Sequence, residues 1–384
     1  MKKFLLKLVI IILPFLTMAL LRMHYDTFNV FHWRNIRFTS AEPNKNFIKT
    51  QYIIHNPQKF NAFIFGSSRV GNIPPDALPK ESDGVSLRWY NMTHSMGIPA
   101  EHLMTIRTFL ANGVDIDMIL LGFDNNAMFE SVGQHERQLL RMPFQVYEAN
   151  VFRFYVPYLK NITARSIIKE VSRYNAAEKE TETERFYDWG GSASDFSLTE
   201  NPQMERYVSA HGGAQFSQTK ACEDIAAVAE LCRENGIALV LFTSPLYETT
   251  YRDAEENGYF DFLRSVAGVA EFYNFSSLNS YTTNPQYYFE SSHYRPVLGL
   301  LVEQVLFGTD EERESIRREA GDALWGTKVN AGNVEEIIVY LQEQIRAECP
   351  AQLFQIRNRT LSFAAKTPVF GYAVISSPMP RLSR

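Results

Sequence analysis

The sequence contains little cysteine, with three residues in a chain of 384. Cys222 and Cys232 stand in one helix-like stretch, and the ten positions between them span about 15 Å of helix, too far for a disulfide. Cys349 lies far downstream, and no spacing among the three is typical of a metal site. We therefore expect unpaired structural cysteines, which do not reveal the redox compartment.

Several sequence patterns of enzymes and nucleic-acid-binding proteins are missing as well. There is no phosphate-binding loop, no dinucleotide fingerprint and no cluster of metal-ligand residues. The formal net charge is −5, without the basic excess of a general nucleic-acid-binding protein. We expect no cofactor, no metal and no nucleic-acid partner. Hydrophobic residues make up 45% of the chain and charged residues 21%, which is ordinary for a globular protein with a large core.

One long apolar run stands at the N-terminus. Three lysines lie among the first seven residues, and a stretch without charge follows over residues 8–21, close to the about 20 residues that cross a bilayer. The run ends at Arg22 without the small residues of a cleavage site, which favours an anchor over residues 1–22 and leaves a cleaved signal peptide as the alternative. The lysines should stay in the cytoplasm. We expect a single-pass protein of the cytoplasmic membrane, with its main domain on the extracytoplasmic (periplasmic or cell-surface) side.

Alternating short and long apolar patterns follow this segment. Short apolar runs ended by small or polar residues predict strands, and longer stretches bounded by proline and glycine predict helices. The predicted strands lie at 62–65, 85–91, from Met118 onward, at 237–246 and at 270–276. The predicted helices lie at 99–113, 167–174, 219–235, 253–268, 297–306, 310–324 and 334–349, with a loop at 288–296. The alternation predicts an α/β fold with a mostly parallel sheet and helices on both faces.

The alternation of predicted strands and helices also indicates how the chain is divided into segments. Residues 23–60 are expected to be a partly ordered connector, followed by an α/β domain over 61–307. Residues 130–218 are charged and rich in turns and interrupt the alternation of strands and helices, so we interpret them as an insertion or lid. Residues 308–384 are expected to form a helical extension and a tail.

Small polar loops follow the predicted strands at the edge where sites form in open parallel sheets. They contain Ser68 after the first strand, residues 91–97 after the second and residues 122–125 after the third. A fourth segment, 290–293, supplies His293 and the acid Glu290. Acyl transfer needs a nucleophile, a base, an orienting acid and an oxyanion hole. His94 is interpreted as an ordinary surface-loop histidine.

These segments resemble the sequence blocks of the SGNH (GDSL-like) hydrolase superfamily over roughly residues 60–307. The first block, FIFGSSRV, implies Ser68 as the nucleophile, with Ser67 where the family has Asp. The last block, Glu290-Ser291-Ser292-His293, implies His293 as the base and Glu290 as its acid. The resemblance implies a flavodoxin-like three-layer sandwich and a Ser-His-Glu triad.

The two middle blocks of this resemblance imply an oxyanion hole. Gly97 in NMTHSMG is the best match for the glycine of the second block. The third block reads Gly-Phe-Asp-Asn, so Asp124 stands where the family has the oxyanion-hole Asn, and Asn125 follows. A carboxylate there would repel a developing oxyanion unless it is protonated or turned away.

Two function classes follow. The pattern looks closest to membrane-anchored proteins that acylate cell-surface polymers, as in D-alanyl transfer to teichoic acids and alginate O-acetylation. It therefore implies an acyl esterase or O-acyltransferase acting on an extracytoplasmic glycan or envelope polymer, with a membrane-bound O-acyltransferase as possible partner. The alternative is a non-catalytic, membrane-tethered scaffold or polymer-binding protein that assists such an acyltransferase. A distance beyond about 5 Å between Ser68 Oγ and the His293 ring would favour the scaffold. A phospholipase or lipase is a third hypothesis, but beyond the anchor the sequence has no obvious row of apolar residues that would bind lipid.

Overall fold

The structure, a computed structural model, describes residues 2–39, 41–160, 164–191, 196–198, 204 and 218–347. Its helices are α1 (Lys2–Tyr25), α2 (Lys45–Ile54), α3 (Pro99–Ala111), α4 (Val132–His135), α5 (Val151–Leu159), α6 (Ala164–Tyr174), α7 (Glu180–Trp189), α8 (Gln218–Glu234), α9 (Glu248–Glu256), α10 (Tyr259–Ala267), α11 (Pro296–Phe307), α12 (Asp310–Ala320) and α13 (Val334–Arg346). Its strands are β1 (Ala62–Phe65), β2 (Glu81–Ser82), β3 (Val85–Ser86), β4 (Trp89–Asn91), β5 (Met118–Phe123), β6 (Ala238–Thr243), β7 (Phe272–Asn274), β8 (Tyr288–Glu290), β9 (His293–Tyr294) and β10 (Thr327–Val329).

One central sheet organises the described residues. Six strands lie in the order β10-β7-β6-β5-β1-β4. Every neighbouring pair is parallel except β10 with β7, which is antiparallel. The prediction of an α/β fold with a mostly parallel sheet is confirmed. The residues after 308 contribute β10 to this sheet as its antiparallel edge strand.

Apolar side chains cover both faces of the sheet. Phe63 and Phe65 of β1 point into one buried cluster with residues of α3, α8, α10 and α13. Ala62 and Ile64 point into a second cluster with residues of α11 and α12. Burial on both faces explains why β1 and β5 read as continuous apolar runs rather than as alternating patterns. The predicted helices on both faces are therefore present.

Three local predictions are wrong in detail. The single helix predicted at 253–268 is two helices, because Gly258 adopts a left-handed conformation (φ 89°) between α9 and α10. The strand predicted at 85–91 is divided: residues 85–86 pair with 81–82 in an exposed hairpin, and only Trp89–Asn91 enters the sheet. The loop predicted at 288–296 contains the antiparallel pair β8–β9.

The connector and the insertion pack against each other in a third apolar cluster. The ring of Phe47 in α2 lies 4.7 Å from that of Phe154 in α5, centroid to centroid and tilted by 32°, and Phe186 of α7 belongs to the same cluster. Asn44 caps α2 and donates to the hydroxyl of Tyr158 over 2.8 Å. Residues predicted as a partly ordered connector therefore form, with the described part of the insertion, a packed unit beside the sheet.

The N-terminal helix α1 is long and apolar enough to span a membrane, judged by its length and composition. Its 24 residues extend over about 36 Å, more than the about 30 Å of a bilayer's hydrocarbon core.

The cysteines that the structure describes are unpaired, as expected. Cys222 and Cys232 are both free and buried in α8. Burial raises the pKa of each thiol to about 11, which disfavours the reactive thiolate. Cys349 lies outside the described residues.

Candidate active site

The loop after β1 presents Ser68. Gly66 directly follows the strand with φ 151°, a conformation that favours glycine. A side chain there would also meet Val70 Cγ2 at 2.6 Å and the carbonyl oxygen of Gly122 at 2.8 Å. The chain can therefore turn sharply enough to leave Ser68 partly exposed at the carboxyl edge of the sheet only with glycine at position 66.

Ser68, His293 and Glu290 lie in one hydrogen-bonded line. Ser68 Oγ is 2.7 Å from His293 Nε2, and His293 Nδ1 is hydrogen-bonded to a carboxylate oxygen of Glu290. The other oxygen of that carboxylate accepts the N–H of Ser292 over 2.7 Å. With Nδ1 donating to Glu290, the lone pair of Nε2 faces the serine hydroxyl. This orientation lets the imidazole act as a base toward Ser68.

The Glu290 carboxyl is held in its ionised form. Burial by itself would raise its pKa, but the hydrogen bond and charge of His293 and the N–H of Ser292 outweigh burial and lower the pKa below its ordinary value. An ionised Glu290 favours the Nδ1–H tautomer of His293 and can stabilise an imidazolium at this position.

Arg69 joins the three loops that meet at the site. Its buried guanidinium donates through Nε to the carbonyl oxygen of Ser292 over 3.1 Å and through Nη1 to Asn125 Oδ1. The same Nη1 lies 3.1 Å from the carboxylate of Asp124. One side chain thus ties the residue after Ser68 to the loop after β5 and to the residue before His293.

The Asp124 carboxylate is fully engaged. Oδ2 accepts the hydroxyl of Ser67 over 2.6 Å, Oδ1 accepts the N–H of Asn126 over 2.7 Å, and the Arg69 guanidinium supplies a compensating positive charge. Buried carboxylates are tolerated when they are paired and hydrogen-bonded in this way. The negative charge expected beside the nucleophile is neutralised locally.

One of the predicted oxyanion donors, the Gly97 N–H, is engaged by another partner, whereas Arg69 binds the side-chain oxygen of Asn125 and not its N–H groups. The Gly97 N–H donates to the carbonyl oxygen of His94 over 3.1 Å, and the Asn125 side-chain oxygen accepts from Arg69. The N–H of Ser68, in contrast, donates to no other group in the parts of the chain that the structure describes. The Ser68 N–H and the side-chain N–H groups of Asn125 are therefore the candidate donors for an oxyanion at Ser68.

His94 is not the surface histidine that we expected. It is buried, and its Nε2 lies 3.0 Å from Glu101, which also binds His135 Nδ1 at 2.8 Å. His135 Nε2 in turn lies 3.3 Å from Glu130. This cluster ties the loop after β4 to α3 and α4. Within the described residues, no group of three or more His, Cys, Asp or Glu side chains is arranged to hold a metal ion.

The His94 cluster is strongly polarised. Burial would raise the pKa of Glu101, but hydrogen bonds from His135 and His94 outweigh it and lower the pKa to about 2. Burial would lower the pKa of His135, but its bonds to Glu101 and Glu130 raise it to about 9. The Glu101–His135 pair is therefore ionic around neutral pH. Glu101 also binds His94, whose carbonyl oxygen accepts the N–H of Gly97.

A cavity of about 270 Å³ opens beside Ser68. The connector contributes Lys45 and Lys49 to its wall, and the insertion contributes Glu182 and Arg185. Lys49 is buried and donates to the carbonyl oxygen of Thr93 over 2.7 Å. Burial and the neighbouring charge of Lys45 hold the pKa of Lys49 well below its ordinary value. The cavity is large enough to admit a small group next to Ser68, and Lys45 and Lys49 lie in its wall.

Sequence reasoning missed Arg69 and Lys49. Arg69 is the one charged residue in the first block, FIFGSSRV, among apolar and small residues. Its charge in a segment expected to be buried could have indicated a role for it. Lys49 lies in the connector, and no local pattern connects it with a loop more than forty positions away. Both become visible only when the chain is folded.

In comparisons with known proteins, the sequence matches no family model and no curated protein.

Proposed function

We propose that this chain is a membrane-anchored, SGNH-like acyl esterase or O-acyltransferase that acts through an acyl-Ser68 intermediate on an extracytoplasmic glycan or envelope polymer. The observation that carries the proposal is the line Ser68–His293–Glu290, with 2.7 Å between Ser68 Oγ and His293 Nε2. That distance lies within the about 2.6–3.2 Å that a general base needs.

The proposed chemistry has two halves. Ser68 Oγ attacks the acyl carbonyl and passes its proton to His293 Nε2, which gives that proton to the departing alkoxide. Water or a sugar hydroxyl then attacks the acyl-serine and loses its proton to the same nitrogen, and His293 returns that proton to Ser68 Oγ as the bond between Oγ and the acyl carbon breaks. Glu290 stabilises the imidazolium in both halves.

The proposed SGNH-like, flavodoxin-like three-layer fold draws support from the order of the blocks along the sheet. Ser68 follows β1, Gly97 follows β4 and Asp124 follows β5, and these three strands are neighbours. Two of the three departures from the family pattern, Ser67 and Asp124, are hydrogen-bonded to each other, and the third is Glu290 in place of the family's Asp. That contact supports a reorganised form of the family's site rather than a decayed one.

The proposed location follows from α1 and from the lysines before it. With α1 in the cytoplasmic membrane and the lysines inside, the domain faces the extracytoplasmic side. An envelope polymer is then within reach, and a membrane-bound O-acyltransferase is the natural donor of acyl groups.

The alternative is a non-catalytic scaffold or polymer-binding protein, anchored in the same membrane and facing the same side. The engagement of the Gly97 N–H by His94 favours it, because it removes one expected oxyanion donor. The short Ser68–His293 distance opposes it.

A labelling experiment separates the two. The full chain in detergent is treated with a fluorescent fluorophosphonate and, separately, with acetyl and longer-chain aryl esters. We expect labelling and ester hydrolysis in the wild type, loss of both in Ser68→Ala, and retention of both in Ser86→Ala, which changes an exposed serine of the β2–β3 hairpin. Equal labelling of wild type and Ser68→Ala would refute the catalytic proposal and favour the scaffold.

A further inference from the structure

The end of α1 is clamped onto helices α5 and α6 of the insertion. Arg22 Nη1 lies 2.6 Å from Glu170 Oε1 of α6, and Arg22 Nε donates to the carbonyl oxygen of Tyr158 in α5 over 2.9 Å. The Tyr25 ring packs edge-on against Tyr174 of α6, with 5.2 Å between centroids. Both partners of Arg22 are buried or half-buried. The contact therefore sets where α5 and α6 lie relative to the membrane segment.

This clamp puts α5 and α6 at the bilayer surface. The apolar run of α1 ends at residue 21, so Arg22 stands where the helix leaves the hydrocarbon region. Helices packed side by side have axes about 8–10 Å apart. Elements that touch Arg22 and Tyr25 must therefore lie within about one helix diameter of the lipid headgroups.

Each of these two helices exposes at least one large apolar side chain. Phe152 of α5 is 74% exposed and Ile168 of α6 is 69% exposed. Val151, beside Phe152, is also exposed. A mostly solvated helix would not expose large apolar side chains next to a membrane anchor without a reason, and a lipid interface is one.

Basic side chains accompany the apolar ones. Residues 151–174 contain five Lys or Arg and one acid, which gives this stretch a charge of +4 in a chain whose total is −5. The acid is Glu170, which is already paired with Arg22. On α6 the exposed Ile168 and Lys169 lie three and four positions after the exposed Arg165, so both neighbour it on the helix surface. Exposed basic and apolar residues on one face are typical of helices that bind anionic lipid surfaces.

We propose that α5 and α6 form a second membrane contact, in which Phe152 and Ile168 enter the headgroup region and Arg165 and Lys169 bind anionic phospholipid. The inference rests on the proposed placement of α1 in a membrane and does not require catalysis.

This contact would orient the site. Phe154 of α5 packs against Phe47 of α2, and Tyr158 is hydrogen-bonded to Asn44 at the start of α2. Lys45 and Lys49 of the same helix line the cavity beside Ser68. The chain of contacts is short and packed, so that fixing α5 on the lipid surface fixes the height of the cavity above the bilayer.

Depth-dependent quenching tests the contact. The full-length chain, with its three native cysteines changed to alanine, receives single cysteines at position 152, 168 or 339 for an environment-sensitive fluorophore. Val339 is the matched control, since it is 53% exposed on α13, far along the chain from the clamp. Each protein is placed in nanodiscs of phosphatidylcholine alone or with one-quarter phosphatidylglycerol, with a nitroxide near the lipid headgroup.

We expect quenching at 152 and 168 at least threefold stronger than at 339, and stronger with phosphatidylglycerol present. Arg165→Glu with Lys169→Glu should remove the phosphatidylglycerol effect. The matched double change Lys80→Glu with Arg107→Glu, at exposed basic residues outside the patch, should leave the effect in place.

Two outcomes would overturn the proposal. Quenching at 152 and 168 no stronger than at 339, in a protein that stays with the nanodiscs, would place α5 and α6 in water. A chain that does not stay with the nanodiscs would refute the membrane placement of α1 and this contact with it. Neither result bears on labelling of Ser68, so failure of the catalytic proposal is recognised separately.

Discussion

The guanidinium of Arg69 lies 3.1 Å from the carboxylate of Asp124, with both side chains buried between the loops that carry Ser68 and His293. A buried ion pair costs desolvation energy, and removing one partner leaves the other charge buried without compensation. Here the arginine contacts the loop after β5 and the segment before His293 while its charge compensates that of Asp124.

We predict that Arg69→Met lowers the free energy of unfolding by about 3–5 kcal/mol, because it leaves Asp124 buried without its partner. The double variant Arg69→Met with Asp124→Asn should lose clearly less, since no charge is then stranded. Urea unfolding of both variants measures the difference, and Arg233→Met, at an exposed ion pair, serves as the control with little change. A double variant as unstable as the single one would contradict the pairing.

A second prediction concerns the Ser67–Asp124 hydrogen bond. Ser67→Ala should cost about 1–3 kcal/mol, because a buried carboxylate oxygen loses its donor. Ser67→Asp alone should cost more, since two carboxylates then face each other.

The exchange Ser67→Asp with Asp124→Asn should recover much of that loss, because the amide can donate where the carboxylate accepted. It also restores the residue types of the proposed family's blocks. Thermal melting compares the three variants with the wild type. An exchanged protein that melts as low as Ser67→Asp would show that the two positions are not coupled.

Glu290→Gln should lower the turnover number for an aryl ester by about 10²–10⁴, the range that orientation and acid–base assistance typically supply. The amide cannot hold the imidazolium as an ionised carboxylate does. Glu290→Asp, with the same charge on a shorter arm, should retain more activity than Gln. Glu81→Gln, at an exposed position, is the control, and wild-type turnover in Glu290→Gln would remove Glu290 from the mechanism.

The pKa of Glu290 also gives a pH dependence. Because it is lowered in the folded chain, the stabilisation from its bond to His293 is present above the ordinary carboxyl pKa and is lost as the pH falls below it. In Glu290→Gln, the free energy of unfolding should therefore change less with pH below the ordinary carboxyl pKa than it does in the wild type.

The main fold was predictable because its signals are local. β1 and β5 are buried on both faces, so their sequences are continuous apolar runs, and α3 and α11 begin at prolines that suit a first helical turn. The division of 85–91 was not predictable in the same way. Its first residues are held in a hairpin by pairing with 81–82, and pairing is a property of two segments.

The site was predictable in part for the same reason. Ser68 stands in a small polar loop after a predictable strand, and the spacing of Glu290 and His293 is local. The roles of Arg69 and Lys49 depend on contacts with residues more than forty positions away. The proposed membrane contact of α5 and α6 was not predicted from the sequence, because its residues come from two separate short helices.

The last prediction concerns the ionic pair Glu101–His135. Its contribution to the free energy of unfolding should be lost at both low and high pH. The pKa of Glu101 is lowered to about 2, so its contribution is present above the ordinary carboxyl pKa and disappears as the pH falls toward 2. The pKa of His135 is raised to about 9, so its contribution is complete below the ordinary histidine pKa and disappears as the pH rises through 9. Glu101→Gln should therefore lower stability most around neutral pH and weaken the loss at both low and high pH, whereas Glu81→Gln should leave the profile unchanged. Urea unfolding at a series of pH values measures this, and a profile for Glu101→Gln that runs parallel to the wild type would show that the pair does not titrate with folding.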